Sequence, residues 1–185
     1  VKAKPWGILA MLSIVTAILS AMLDNVTTVL LIAPVTLLIT EELEIEPYPF
    51  LFAEILFSNI GGAATLIGDP PNILIGSMVE TITFNDFLVH IAPITPLVFI
   101  ATLLPIYILW GRKMHASDEA RMRVLNFREA EAIKDSKLLA KSLFVLTLVL
   151  VGFVLGHPLG LEPATVAMTG AALLMLLDNF GKNIE

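Results

Sequence analysis

Two short polar stretches interrupt long apolar runs in this sequence, and their side chains carry only oxygen and amide groups. Neither stretch contains a thiol or an imidazole. The chemistry they suit is therefore that of a hard cation such as Na⁺, or of a proton, rather than that of a transition metal. The candidate side chains are Asp24, Asn25, Thr27 and Thr28 in the first stretch, and Asn59, Thr65, Asp69 and Asn72 in the second.

The composition indicates that these stretches lie in a polytopic membrane protein. Of the 185 residues, 57% are hydrophobic and 15% are charged, and the mean hydropathy is +0.87. A soluble domain usually has roughly 45–50% apolar and about 25% charged residues, and a single soluble core of this size cannot hide so much apolar surface. The chain contains no cysteine, which excludes disulfides and thiolate metal sites.

Basic residues are concentrated in one segment. No Lys or Arg lies between Pro5 and Gly111, whereas eight of the eleven lie between Arg112 and Lys141. A nucleic-acid-binding protein spreads basic residues over an exposed face, so nucleic acid is excluded as a partner and the lipid bilayer is expected. The bias of Lys and Arg toward the inside predicts that residues 111–140 form a cytoplasmic, amphipathic linker of an integral protein of the cell (inner) membrane.

The first polar stretch divides two apolar runs, residues 6–23 and 26–40, and an acidic loop follows at 41–47. Either both runs span the membrane, or residues 6–40 form a re-entrant hairpin with its tip at 24–28. The short second run and the polar tip favour the hairpin. Asp24 is costly at membrane depth, which favours a functional role, whereas Asn25 could serve only as a helix cap.

The second polar stretch predicts a discontinuous helix over residues 48–79. Glycines and prolines are too dense within residues 61–71 for a continuous helix. They are Gly61, Gly62, Gly68, Pro70 and Pro71. We therefore expect helices over about 49–60 and 70–79, joined by unwound chain that faces protein or a wet cavity. Broken helices at mid-membrane are the usual site of substrate and coupling-ion binding in secondary transporters.

Four candidate residues in or near the broken helix could have a purely structural role instead of binding an ion or substrate. Asp69 could be only the N-cap of the second half-helix, with Pro70 at its first position. Gly61 and Gly62 could serve only close helix packing. Glu54, on an otherwise apolar part of the first half-helix, is either a proton carrier or a side chain that snorkels or bonds a neighbouring helix.

The remaining chain predicts three further apolar helices. Residues 87–110 and 141–156 form spans, and a turn at 157–160 precedes a helix over 163–177. Ser117 is predicted to cap a short helix in the linker. If the first lysines lie inside, this topology places every basic residue on the inside.

Two sequence blocks carry a family resemblance. Residues 20–35 (SAMLDNVTTVLLIAPV) and 59–72 (NIGGAATLIGDPPN) resemble the ion transporter superfamily, and most closely its citrate-transporter-like branch. That branch includes the arsenical pump membrane proteins, sodium/proton antiporters and the P-protein group. The resemblance implies an all-α, inverted-repeat transporter in which each repeat carries a re-entrant hairpin and a discontinuous helix.

The resemblance also implies roles for the tip residues. In related sodium/dicarboxylate symporters a Ser-Asn-Thr tip contacts sodium and the substrate carboxylate; here Asn25 matches, but Asp24 replaces Ser. The extra negative charge argues against a dicarboxylate and for a cation or a proton. The implied Na⁺ candidates are Asp24, Asn25, Gly61 and Thr65. The wider set for ion and substrate adds Thr27, Thr28, Asn59, Gly62, Gly68, Asp69 and Asn72.

Only one hairpin and one broken helix are visible, so we expect a fragment of a transporter that holds one half of its site. Its predicted parts are a first repeat at 1–110 (hairpin 6–40, broken helix 48–79, span 87–110), the linker at 111–140, and the start of a second repeat at 141–185. The remainder of the same transporter chain is then a partner, and a homodimer stays open.

We therefore expect a secondary active transporter, not an enzyme. It moves a small ion or an organic or inorganic anion coupled to Na⁺ or H⁺, by antiport or symport and without a cofactor. The main alternative is a passive anion channel on the same scaffold. A remote alternative is an intramembrane aspartyl protease using Asp24 and Asp69, but Leu66 stands where the Gly-x-Gly-Asp motif of such enzymes has its first Gly.

Overall fold

The computed structural model describes residues 3–79, 81–126, 136–156 and 161–182, and every regular element in this part of the chain is helical. The predicted all-α class is therefore confirmed. The chain forms two compact units, Val1–Phe127 and Arg128–Glu185. The predicted repeat boundaries stay predictions, and the turn at 157–160 and the linker residues 127–135 lie outside the described residues.

The first unit begins with two helices, α1 (Pro5–Met22) and α2 (Asn25–Glu42), which are joined by a two-residue turn. Each has 18 residues and is therefore about 27 Å long. Both are long and apolar enough to cross a membrane. Helix α2 continues through Glu41 and Glu42, so the acidic loop begins two residues later than predicted. Whether the pair re-enters or spans stays a prediction.

The predicted discontinuous helix is confirmed. Helix α3 (Tyr48–Gly62) and helix α4 (Pro70–Met78) are separated by the non-helical residues 63–69. Helix α4 begins at Pro70, where the missing N–H removes no helical hydrogen bond. Asp69 occupies the cap position with extended backbone, but its side chain makes no capping hydrogen bond within the described chain. The cap position that the sequence left open for Asp69 is therefore confirmed, but without a side-chain capping bond.

The predicted single span at 87–110 is bent. A short helix, α5 (Phe84–Asp86), leads into a π-helical turn (Phe87–Ile91), and α6 (Thr95–Ile106) leads into a second one (Tyr107–Gly111). The two halves meet at an angle of 52°. Pro93 and Pro96 flank the corner, and each lacks the N–H that a continuous helix needs.

The core of the first unit lies mainly between α1 and α3, with α2 and α6 packed beside them. Leu9 on α1 and Phe50, Ala53 and Phe57 on α3 are almost fully buried. The ring of Phe57 lies against that of Phe99 on α6, with ring centroids 4.2 Å apart. This packing fixes the lengthwise position of α3, and hence of its break, against α1.

Helix α7 (Asp118–Leu125) lies in the predicted linker, and the expected cap is confirmed: the Ala120 N–H donates to Ser117 Oγ at 3.1 Å. Arg123 ties α7 to the turn between α2 and α3. Its guanidinium donates to the Glu44 carboxylate at 2.6 Å and lies 3.3 Å from that of Glu42. The hydrogen bond to Glu44 raises the pKa of Arg123 above its ordinary value.

The second unit is a pair of packed helices, α8 (Ser136–Gly156) and α9 (Pro163–Lys182). Helix α8 begins five residues before the predicted start at 141. The glycines allow close packing: a Cβ on Gly170 would lie 2.2 Å from a methyl group of Val149. The ammonium of Lys141, near the start of α8, donates to the Leu177 carbonyl near the end of α9 at 2.9 Å.

Candidate functional site

The turn between α1 and α2 is organised by a carboxylate. Asp24 has extended backbone and is the N-cap of α2: Thr27 N–H donates to its Oδ1 at 2.8 Å, and the Thr27 hydroxyl donates to its Oδ2. The sequence left open that Asn25 was the cap, and the structure gives that position to Asp24. The carboxylate is half-exposed, and the partial positive charge of the helix N-terminus stabilises it.

The break in the second helix is held against the end of α1 by Thr65. Its hydroxyl donates to the Ala21 carbonyl at 2.6 Å and accepts from the Gly68 N–H at 3.0 Å. Asn72, in the first turn of α4, donates to the carbonyls of Gly62 and Thr65 at 3.3 and 3.0 Å. These bonds satisfy backbone groups that the break has freed, as required of unwound chain at membrane depth.

Glycines let the break approach α1 at backbone distance. A Cβ on Gly61 would lie 2.1 Å from the Ala17 carbonyl oxygen. A Cβ on Gly68 would lie 2.5 Å from the Gly62 carbonyl oxygen and 2.7 Å from that of Ser20. Close packing, which the sequence left as one alternative for Gly61 and Gly62, is thus present. A ligand role for these glycines stays a prediction.

The two interruptions lie side by side. The Asn25 amide, in the first turn of α2, donates to Asn59 Oδ1 at 2.9 Å. Asn59 in turn donates to the Ile55 carbonyl at 2.7 Å. Next to this pair, the Ser20 hydroxyl donates to the Ser58 carbonyl at 2.6 Å. The polar ends of the hairpin and of the broken helix therefore form one junction.

Not every predicted residue joins this junction in the same way. The Thr28 side chain is fully buried, and its hydroxyl has no hydrogen-bond partner among the described residues. Asp69 is half-exposed. Glu54 lies on α3 five residues before Asn59 and is outside the junction. It is 1% exposed and accepts a hydrogen bond from the Thr36 hydroxyl.

Sequence reasoning missed Ser20 and Ser58, because each was one of many small residues on an apolar helix. Their signal was weak but present. Ser13, Thr16 and Ser20 recur at intervals of three and four residues, which places three hydroxyls on one helical face. All three are at most 1% exposed, so this is the face that α1 turns toward its neighbours.

The electrostatics of the junction favour a cation over an anion. Asp24 brings a negative charge, and no Lys or Arg lies between residues 5 and 111 to balance it. A helix N-terminus binds an anion through free N–H groups. At α4, however, Pro70 and Pro71 have none, and the next two N–H groups, of Asn72 and Ile73, donate to the Asp69 carbonyl.

A cation here would be held by oxygens that already serve a structural bond. The Gly61 carbonyl accepts from the Ala64 N–H at 2.9 Å, and Thr65 uses its hydroxyl as donor and acceptor. A carbonyl oxygen and a hydroxyl each have two lone pairs, so both retain capacity for a ligand. The same is true of the Asp24 carboxylate.

Apolar helices whose interruptions lie in contact are typical of polytopic membrane transporters. The chain belongs to the citrate transporter family: the family match covers residues 1–182. The resemblance noted from the two sequence blocks is thereby confirmed.

The similar proteins include one named as a transporter and one named as a membrane protein. The chain is 49% identical over 173 residues to an uncharacterized transporter of Mycobacterium tuberculosis, covering 94% of the chain and 40% of that protein. It is 47% identical over 183 residues to a 46 kDa membrane protein of Mycobacterium leprae, covering 97% of the chain and 42% of that protein. The human P protein is 40% identical over 126 residues, covering 65% of the chain and 15% of that protein. No solved structure matches the chain.

The family and the name of the Mycobacterium tuberculosis relative are those of membrane transporters rather than of enzymes, which argues against the aspartyl protease alternative. The chain spans 40% to 42% of the length of the two mycobacterial relatives.

Proposed function

We propose that this chain forms one half of the ion- and substrate-binding site of a secondary active transporter, which moves a small ion or an anion coupled to Na⁺ or H⁺. One observation carries the proposal. The side-chain amide of Asn25 donates to the side-chain oxygen Oδ1 of Asn59 at 2.9 Å, so the first turn of α2 contacts the last turn of α3, directly before the break. Apposed interruptions of this kind supply side-chain and backbone oxygens to a coupling ion.

The charge at this junction supports a cation or a proton as its ligand. Asp24 contributes a carboxylate that is already engaged by Thr27, and the two prolines remove the N–H groups with which α4 would hold an anion. The proposed cation ligands are Asp24, Asn25, Gly61 and Thr65. An anionic substrate would then be held by the remainder of the transporter chain, or by the cation itself.

The substitution Asp24→Asn tests the charge alone. Asparagine is as good an N-cap as aspartate, so the turn is retained while the negative charge is lost. We expect the variant to insert and stay monodisperse but to lose ion-coupled transport. The matched control is Asp118→Asn, which removes an exposed acid in α7 that pairs with Arg121.

The assay is solute uptake by the intact protein in proteoliposomes, with citrate, arsenite, Na⁺ or chloride as solute and with or without a Na⁺ or pH gradient. Coupled transport predicts accumulation of one solute only when an ion gradient is imposed. A passive anion channel would instead dissipate a chloride gradient without a second ion. Unchanged coupled uptake in Asp24→Asn would remove Asp24 from the site.

A further inference from the structure

A second group of polar side chains is buried on α1, α2 and α3. It consists of four hydroxyls, which we call the hydroxyl seam, and one acid. Each of these residues and the acid beside them is at most 1% exposed. The seam consists of Ser13 and Thr16 on α1 and Thr28 and Thr36 on α2, and the acid is Glu54 on α3.

Most of this group lacks hydrogen-bond partners. The hydroxyls of Ser13, Thr16 and Thr28 and the Oε2 atom of Glu54 have no partner among the described residues. Buried polar groups are nearly always paired, and leaving one unpaired costs about 1–3 kcal/mol. The four oxygens lie on three helices that pack on one another, and each keeps hydrogen-bonding capacity for a further polar species.

The chemistry of Glu54 indicates which species that is. Its Oε1 atom accepts from the Thr36 hydroxyl, so the Oε2 atom is the one available for a new bond. A buried carboxylate is stabilised by a bound cation or by protonation to the neutral acid. The other polar atoms of the seam are hydroxyl oxygens. A hydroxyl both donates and accepts hydrogen bonds, so the seam can bind water molecules that carry a proton to and from Glu54.

Among the described residues, the helices packed against α3 contain no Lys, Arg or His that could serve as a fixed counter-charge to Glu54. The sequences of α1 and α6 contain no ionisable residue. Those in and around α2 are acids at its two ends: Asp24 at one, and Glu41 and Glu42 at the other. The π-helical turn after α6 contributes only Tyr107, whose ring packs on Trp6.

We propose that Glu54 is a proton-binding site separate from the junction at Asn25 and Asn59, and that water held by the hydroxyl seam connects the two. Glu54 lies five residues before Asn59 on α3, or about 7.5 Å along the helix axis. In the proposed step a proton adds to Oε2 and forms a neutral acid. Its release to a water molecule of the seam regenerates the carboxylate, and no electron is transferred.

A chemical probe tests protonation without any transported solute. Dicyclohexylcarbodiimide is apolar and reacts with protonated carboxyl groups, and the modified peptide is identified by mass spectrometry of the intact, purified protein. We expect labelling at Glu54 that falls as the pH of the reaction is raised, and no labelling at that position in Glu54→Gln. Absence of labelling across the pH series would overturn the proposal. Labelling that Na⁺ suppresses and pH does not would indicate a Na⁺ site, and would also overturn it.

The role of this proton in coupling rests on the proposed transport function, and a second experiment tests it. In proteoliposomes, Glu54→Gln should abolish uptake driven by a pH gradient but retain solute exchange in the absence of a gradient, with Glu41→Gln as the matched control at an exposed glutamate. Normal pH-driven uptake in Glu54→Gln would overturn the coupling role. Glu54 labelling without coupled transport of any solute in the wild type would contradict the proposed function and leave the protonation site standing.

Discussion

Replacing Gly61 by alanine tests whether the break of α3 depends on backbone contact with α1. The added Cβ would lie 2.1 Å from the Ala17 carbonyl oxygen and 2.5 Å from the Ala17 Cα. Ordinary Cβ contacts begin at 3.4 Å, so the helices must separate by more than an ångström. Because the opposing atoms are backbone, no side-chain rotation relieves the clash.

The expected destabilisation follows from two opposing terms. Overpacking of a well-packed site costs typically 1–3 kcal/mol, and a clash with backbone belongs at the upper end of that range. Alanine is favoured over glycine within a helix by about 0.8–1.0 kcal/mol. We therefore expect the free energy of unfolding of Gly61→Ala to fall by about 2 kcal/mol.

The matched control is Gly76→Ala in α4. There the nearest atom to the added Cβ is Leu66 Cδ1 at 2.6 Å, and the end of a leucine side chain can rotate away. We expect this variant to unfold at the wild-type denaturant concentration or above it. The assay is denaturant unfolding of the intact protein in detergent, followed by tryptophan fluorescence. Equal stability of the two glycine variants would refute the inferred close contact between α1 and α3.

Two further outcomes are expected. Asn25→Ala and Asn59→Ala should show a coupling free energy of about 0.5–1.5 kcal/mol in a double-mutant cycle of unfolding free energies, because one amide hydrogen bond joins them. Strictly additive losses of stability would mean that the two amides do not interact. At low salt, Arg123→Gln should be cleaved after Glu119 by a glutamate-specific protease faster than the control Lys113→Gln. At high salt the two cleavage rates should be equal, because exposed ion pairs are screened. A rate difference that persists at high salt would contradict an ionic attachment of α7.

The broken helix could be predicted from the sequence because its cause is local. Glycines and prolines within residues 61–71 act on the backbone whatever surrounds them, and α4 begins at Pro70 as predicted. The bend at residues 92–94 has the same kind of cause, yet it was missed. Prolines in an apolar run are tolerated in membrane helices, so their presence near Pro93 did not indicate where the axis would turn.

The candidate site was less predictable because its contacts come from tertiary packing. Asp24 and Asn25 are adjacent and both suit an N-cap, and only the fold selects Asp24. The apolar residues of α2 surround the helix, so periodicity could not indicate that Thr28 and Thr36 are buried. Ser20 bonding to the Ser58 carbonyl required the lengthwise position of α1 along α3, which no local pattern contains.

The structural role of Asp24 has a consequence for ion coupling under the proposed function. Both oxygens of its carboxylate accept bonds from Thr27 in the first turn of α2. A cation bound at the remaining lone pairs of these oxygens weakens both bonds, because it repels the positive ends of the Thr27 N–H and O–H groups. Ion binding must then alter the geometry of the turn that carries Asn25, and through the Asn25–Asn59 hydrogen bond it is linked to the break of α3. A differential contact of this kind is what a coupling ion requires in order to shift a conformational equilibrium.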